Sequence, residues 1–393
     1  MPDLPKITVA ERRRRIAVRH CLAPRHRLTD VADAAEHLVG IHASDPASVY
    51  LGLLARTDGV SRDDIAHALY DDRSVLRILG MRRTMFVTPV ANAGVITVGA
   101  TLAIARNERR RLLTWLKQED VAPDVERWLA EVENQTVQAL DEMGTATAAQ
   151  LTRRVPGLGV QIHVGEGKKW QGTIGVSTRM LFLLASEGRI VRGKPSGSWL
   201  SSLYSWAPMD RWVPGGLAPI SRDEAQTGLA QLWLRAFGPG TDRDLEWWTG
   251  WTRTDTRRAL SAAGAMQVDL DGTAGYALAD DVAQTADPGP WVALLPALDS
   301  TTMGWADRDW YLGAHRPKLF DPNGNAGPTI WVDGRIVGGW AQRESSDIAY
   351  RLFDEVGREA AQAIDDEAGR ISTWLVGSRV IPRFRTPTER ELS

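Results

Sequence analysis

Val75-Leu76-Arg77-Ile78-Leu79-Gly80-Met81-Arg82-Arg83-Thr84-Met85-Phe86-Val87-Thr88-Pro89 decides how the first third of the chain reads. Its second half alternates apolar and polar residues and is rich in strand formers, which predicts a strand or hairpin. Arg82 and Arg83 put positive charge on it. The segments before it carry helical periodicity instead. Residues 9–21 form a basic helix. A second helix follows, capped by Asp30 and running to about residue 40, and a third spans 60–69, capped by Ser61.

Between the last two lies Leu38-Val39-Gly40-Ile41-His42-Ala43-Ser44-Asp45-Pro46. Three polar side chains, His42, Ser44 and Asp45, interrupt apolar flanks. Pro46 biases Asp45 away from helical backbone, so a short loop is expected, with a new helix starting on an Asp45 N-cap and Pro46 in its first turn. Two readings stand. The polar groups either satisfy backbone donors at a capped turn, or hold a water or a sugar.

Helices followed by a basic strand pair are the sequence form of a winged helix, with one helix against a groove and the hairpin on the backbone. The pattern recurs twice. Residues 145–194 give a capped short helix, a Gly-rich polar loop, an apolar helix over 176–188 and a strand carrying Arg192 and Lys194. Residues 221–276 give a helix capped by Ser221, two short helices and a strand running into Asp271-Gly272, a hairpin signal. Helices over 90–116 and 125–143 link the first two units. From residue 288 the character turns to strands and turns, with a buried strand at 291–299 and a hairpin around Asp333-Gly334. An amphipathic helix over 348–374 and a loosely held basic tail, 379–393, are expected to follow. The predicted architecture is α+β: winged-helix units at 1–120, 121–215 and 216–285, and a β-rich subdomain with a terminal helix at 286–393.

At 393 residues the chain is too long for one core. Charged residues make up 24% and net charge is −2, which lacks the global footprint of a nucleic-acid binder. Basic residues nevertheless clump, and patches on one face suffice for phosphate contact. A single cysteine, Cys21, excludes an intrachain disulfide and a multi-cysteine zinc site. No apolar run spans a bilayer and no signal-peptide core opens the chain, so a cytoplasmic location and no membrane partner are expected. The 16 tryptophans are expected in cores and module interfaces.

Residues 294–310, Leu-Leu-Pro-Ala-Leu-Asp-Ser-Thr-Thr-Met-Gly-Trp-Ala-Asp-Arg-Asp-Trp, form the most specific block. Together with Phe320-Asp321-Pro322-Asn323-Gly324-Asn325-Ala326, the hairpin 331–340, and residues 40–46 and 81–89, it resembles the winged-helix DNA-binding family that contains the AlkZ-type and YcaQ-type DNA glycosylases. The resemblance implies three tandem winged helices around a concave basic cleft. It implies a monomeric, monofunctional glycosylase that releases alkylated or bulky purines from duplex DNA with no metal or cofactor, for repair or for self-resistance to a DNA-alkylating natural product. The family's catalytic element is Gln, an apolar residue, then Gln or Asp. It aligns with His42-Ala43-Ser44, and both polar positions differ. The alternative is a non-catalytic winged-helix DNA-binding protein, a regulator or lesion binder.

An N7- or N3-alkylated purine is cationic, so its glycosidic bond is already activated. The protein must stabilise an oxocarbenium-like sugar and position a water. His42, Ser44 and Asp45 are the catalytic candidates. A neutral His42, with an ordinary pKa of about 6.5, accepts the water's proton; Ser44 holds the water or a phosphate; Asp45 faces the sugar cation or caps the helix. No Gly-x-Ser-x-Gly surrounds Ser44, which weighs against a nucleophilic serine. The expected DNA contacts are Arg82, Arg83 and Thr84 on the first hairpin, Lys168, Lys169, Arg179, Arg192 and Lys194 on the second unit, and Arg308. For Arg308 an ion pair with Asp299 is the competing expectation.

Overall fold

The computed structural model describes residues 4–165, 167 and 171–393. Helices and antiparallel sheets mix along the chain. The helix Val9–Arg19 comes first, capped by Thr8. Asp30 caps the helix Val31–Glu36, as its side chain dictates. That helix ends four residues earlier than its periodicity suggests. The chain turns at Val39 (φ 61) and becomes extended as β1, Ile41–His42. Gly40 permits the close approach this requires, because a Cβ there would lie 3.1 Å from the Val87 carbonyl oxygen. Asp45 then caps the helix Pro46–Leu54, with Pro46 in its first turn as expected. Ser61 caps Arg62–Tyr70 with a reciprocal bond from Asp64.

β2 (Val75–Leu79) and β3 (Met85–Pro89) form the predicted hairpin. β1 adds to the free edge of β3, with His42 opposite Phe86, giving the order β1-β3-β2. A helical rod follows: Val90–Ile96, a π turn over Thr97–Thr101, then Leu102–Gln118. The Gly99 carbonyl in that turn accepts from the Trp251 indole (2.8 Å). The helix Val125–Met143 stops at Gly144 as predicted.

β4 (Ala146–Thr147) leads to the helix Ala148–Arg154, capped by Thr147. The Gly-rich loop expected next contains β5 (Gln161–Val164), which pairs with β6 (Gly172–Gly175). Its alternation of buried Ile162 and Val164 with exposed neighbours is too short to stand out among the glycines. Lys168 and Lys169 lie outside the described residues. The helix Val176–Ser186 precedes β7 (Ile190–Pro195), which pairs with β8 (Tyr204–Pro208); β4 joins the other edge of β8.

Three helices, Arg222–Phe237, Asp242–Thr249 and Arg253–Ala262, each start on a Ser or Thr cap. The hairpin β9 (Ala265–Leu270) and β10 (Thr273–Leu278) follows, turned through Asp271 and Gly272 at positive φ. β11 (Val292–Leu295), β12 (Thr329–Val332), β13 (Arg335–Gln342) and β14 (Ile348–Leu352) form a four-stranded meander in that order. Residues 348–352 are therefore an edge strand and not the start of the last helix, which is Arg358–Trp374. Ladder pairing with β13 overrides their helical spacing. The tail is not loose. Val380 N–H donates to Gln342 Oε1 (2.7 Å), Thr388 Oγ donates to the Lys318 carbonyl (3.0 Å), and the helix Pro387–Leu392 packs on β13.

One core joins the N-terminal helices, the helix Arg222–Phe237 and the tryptophan-rich residues 291–336, with Trp233 and Trp331 fully buried. A separate core lies within residues 105–206. Among the described residues no helix is long and apolar enough to cross a membrane.

At the centre of the larger core Arg56 and Asp299 pair bidentately, Nη1 to Oδ2 at 2.9 Å and Nη2 to Oδ1 at 2.7 Å, with side chains 0% and 1% exposed. Arg56 also donates to the Gly52 carbonyl (2.6 Å) and to Thr301 Oγ (2.8 Å). Thr301 Oγ in turn meets His20 Nδ1 (2.8 Å), whose Nε2 meets the Ala236 carbonyl (3.0 Å). Burial, then the Arg56 charge, holds His20 far below the ordinary imidazole range, so the ring is neutral. The expected Asp299–Arg308 pair does not form, because Asp299 is committed to Arg56. Asp299→Asn leaves Arg56 charged and poorly paired in the core and should cost about 3–5 kcal/mol. Urea unfolding monitored by tryptophan fluorescence measures it. A loss below about 1 kcal/mol would mean the pair is solvated.

Candidate functional site

The loop 42–45 is held from every side by backbone contacts. His42 N–H donates to Ser300 Oγ (2.9 Å), and the same hydroxyl donates to the Gly40 carbonyl (2.9 Å). These two groups face away from β3 and would otherwise be an unpaired strand edge. Ala43 N–H donates to the Met85 carbonyl (2.7 Å), and the Ala43 carbonyl accepts from Arg77 Nη2 (2.6 Å). Ser44 Oγ accepts from Met85 N–H (3.2 Å). Asp45 accepts from Ala47 N–H at Oδ1 (3.1 Å) and, unforeseen from the sequence, from Arg383 N–H of the tail at Oδ2 (2.9 Å). Its carboxylate is thereby committed to backbone donors. Burial raises its pKa against those two bonds and the nearby charges of Arg77 and Arg383.

The His42 side chain is 3% exposed and packs against Phe86, with ring centroids 5.3 Å apart. Nδ1 lies 3.5 Å from Ser44 N–H, too long to fix which ring nitrogen carries the proton. Nε2 has no hydrogen-bond partner among the described residues. Burial, reinforced by the positive charge of Arg82, pushes the imidazole down to about 3. The ordinary value expected from the sequence is therefore corrected: His42 is neutral but only weakly basic.

Arg82 and Arg83 occupy the tip of the β2–β3 hairpin, both at positive φ (52 and 64). Consecutive non-glycine residues in this region are strained, which the surrounding contacts must hold. Their side chains part. The Arg82 guanidinium lies 3.7 Å from the centroid of the Trp247 ring, and Arg308 lies 4.7 Å from the same ring. Among the described residues neither has a carboxylate partner; Arg308, 4% exposed, gives its Nε to the Trp305 carbonyl (2.8 Å). Burial and the neighbouring Arg308 charge lower Arg82 to about 10, so both stay charged at neutral pH. Arg83 instead pairs with the buried Glu108 (2.9 Å), and the Thr84 hydroxyl closes the turn on the Met81 carbonyl (2.8 Å).

The predicted residues thus fall into three groups. His42, Arg82 and Arg308 converge with Trp247. Arg83 and Arg179 gather near Glu108, with Arg179 5.1 Å from the Trp115 ring centroid. Arg192 packs 4.1 Å from the Tyr204 ring centroid and faces Arg77 and Arg383, while Lys194 is exposed on β7. Sequence reading missed Trp247, Arg77, Ser300 and Arg383. The Trp247-Trp248 pair on a short helix was the one local signal, since two indoles in eight residues exceed what one buried face takes.

The family model described as DNA glycosylase AlkZ-like matches residues 35–374. The solved structure of the Streptomyces sahachiroi DNA glycosylase AlkZ is similar in fold, with a TM-score of 0.73 at 21% identity, covering 96% of this chain and 99% of that one. No curated protein sequence matches the chain.

The depressed His42 pKa carries a sign. The unfolded chain takes a proton at about 6.5, whereas the folded one refuses it down to about 3. This contribution to stability is complete above about pH 6.5 and is lost as pH falls toward about 3. The His42 ring resonances, followed by NMR, should show no titration between about pH 5 and 8. A midpoint near 6.5 would contradict the burial.

Proposed function

The chain belongs to the AlkZ-like DNA glycosylase family, and from that premise we propose that it hydrolyses the N-glycosidic bond of an alkylated or bulky purine in duplex DNA. The observation that carries this reading is the grouping of an uncommitted neutral imidazole, His42, with two unneutralised guanidinium groups, Arg82 and Arg308. In this reading the two arginines take phosphates of the lesion strand. The cationic purine leaves with little help. His42, too weakly basic to strip a proton at the outset, orients the water and receives its proton as the sugar cation is captured. Ser44 and Asp45 set the position of His42 through the backbone bonds already described, and the Asp45 charge acts on the sugar only across the loop.

The helix-and-hairpin units at residues 1–120, 121–215 and 216–285 serve in this reading as winged helices around a concave face, backed by residues 286–393. Arg179, Arg192, Lys194, Lys168 and Lys169 extend the DNA contact on the second unit. Because the leaving base carries its own positive charge, the reaction needs no metal or cofactor. The protein acts as a monomer in the cytoplasm, in repair or in self-resistance.

Release of N7-methylguanine from alkylated duplex DNA tests the reading under single-turnover conditions. The wild type should release base, and His42→Ala should slow release by about 100- to 10,000-fold with folding intact. Absence of release across a panel of N7- and N3-purine adducts, with duplex binding retained, would leave the non-catalytic reading in its place.

A further inference from the structure

We infer that the C-terminal strap, residues 379–386, completes a second phosphate site on the Asp45 side of the loop, formed by Arg383, Arg192 and Arg77 and taking a phosphodiester of the same lesion strand. The inference rests on the DNA reading above.

The strap is fixed where it arrives. Gln342 clamps it at both ends of one peptide segment, accepting from Val380 N–H (2.7 Å) and donating to the Ser378 carbonyl (3.0 Å). Beyond Pro382 its backbone reaches the loop, where Arg383 N–H donates to Asp45. The Arg383 side chain is exposed and faces Arg192. β7, which carries Arg192, packs against β2, which carries Arg77. Arg77 is buried and its Nη2 holds the Ala43 carbonyl. Three guanidinium groups from three distant segments therefore meet next to the catalytic candidate.

Their charge is not neutralised. Among the described residues none of the three forms an ion pair. Asp45 is a carboxylate within the electrostatic reach of Arg77 and Arg383, and backbone N–H groups already occupy both its oxygens. The Nε atoms of Arg77 and Arg192 are buried with no protein partner. Tyr204 supports Arg192 by its ring face, 4.1 Å from the centroid, which fixes the guanidinium without cancelling its charge. The exposed Arg383 and the half-buried Arg192 offer planar guanidinium donors to a phosphodiester oxygen pair, and the buried Arg77 adds its charge from behind them. Arg82 acts on His42 and shares the Trp247 ring with Arg308, so in this reading the lesion strand meets one cationic group by His42 and a second by Asp45.

The test is the salt dependence of binding to an undamaged duplex oligonucleotide, measured by fluorescence anisotropy on the full chain. Arg383→Gln keeps the backbone N–H that holds Asp45 and changes an exposed side chain, so folding is not at stake. It should lower the slope of log affinity against log salt by about 0.9, and Arg192→Gln should do the same. Arg343→Gln, an exposed arginine paired with Asp347, should leave the slope unchanged. An unaltered slope in Arg383→Gln overturns the inference, as does an equal fall in Arg343→Gln. A wild-type slope near zero would instead remove the DNA reading on which it rests.

Discussion

The buried pair between Arg56 and Asp299 is the constraint on which the site depends. Taking two charges out of water costs several kcal/mol per ion unless geometry and further hydrogen bonds compensate. Here the pairing is bidentate and both Nη groups are fully engaged, although the Arg56 Nε has no partner among the described residues. Asp299 receives two guanidinium donors and the Thr301 N–H (2.8 Å), and Arg56 reaches Gly52 and Thr301 as well. The chain of bonds continues through His20 to Ala236, so four distant segments share one network. Ser300 sits between Asp299 and Thr301 and inherits their fixed position. Its hydroxyl can therefore serve as a rigid strand partner for Gly40 and His42. The most specific block of the sequence acts on the site from behind, through the backbone of β1.

A second principle organises the charges. Some arginines are spent on carboxylates: Arg56 on Asp299, Arg15 on Glu11, Arg83 on Glu108, Arg109 on Glu133 and Glu187. Others are held by aromatic faces, as Arg82 and Arg308 are by Trp247 and Arg192 is by Tyr204. A ring face orients a guanidinium as well as a carboxylate does, yet leaves its positive charge available. These three arginines lie around the loop 42–45, whereas Arg179 on Trp115 and Arg12 on Trp310 are held by rings elsewhere. This distribution reconciles a chain of net charge −2 with a locally cationic surface, since the composition averages over both classes.

Much of the fold was legible because it is written locally. Asp30, Asp45, Ser61 and Ser221 cap the helices their side chains predict, and the Asp-Gly turns at 271 and 333 close the hairpins. The failures share a cause. Helix Val31–Glu36 stops early, and Ile348–Leu352 is a strand, because pairing with β3 and β13 decides both. Of the site, His42 and Arg82 were readable as polar residues in unusual places. Arg77 looked like an ordinary strand residue, and Arg383 lay in a tail with no periodicity; their meeting depends on contacts more than 100 residues apart in sequence. The Asp299–Arg308 pairing failed for the same reason, since the true partner, Arg56, is 243 residues from Asp299.

In the proposed reaction Ser300 places His42 through its backbone and does not touch DNA. The most direct measurement is the single-turnover rate of purine release by Ser300→Ala beside its affinity for the same damaged duplex. A rate lowered by about 10- to 100-fold at unchanged affinity is expected. A variant that binds duplex more weakly but releases base at the wild-type rate once bound would contradict that role.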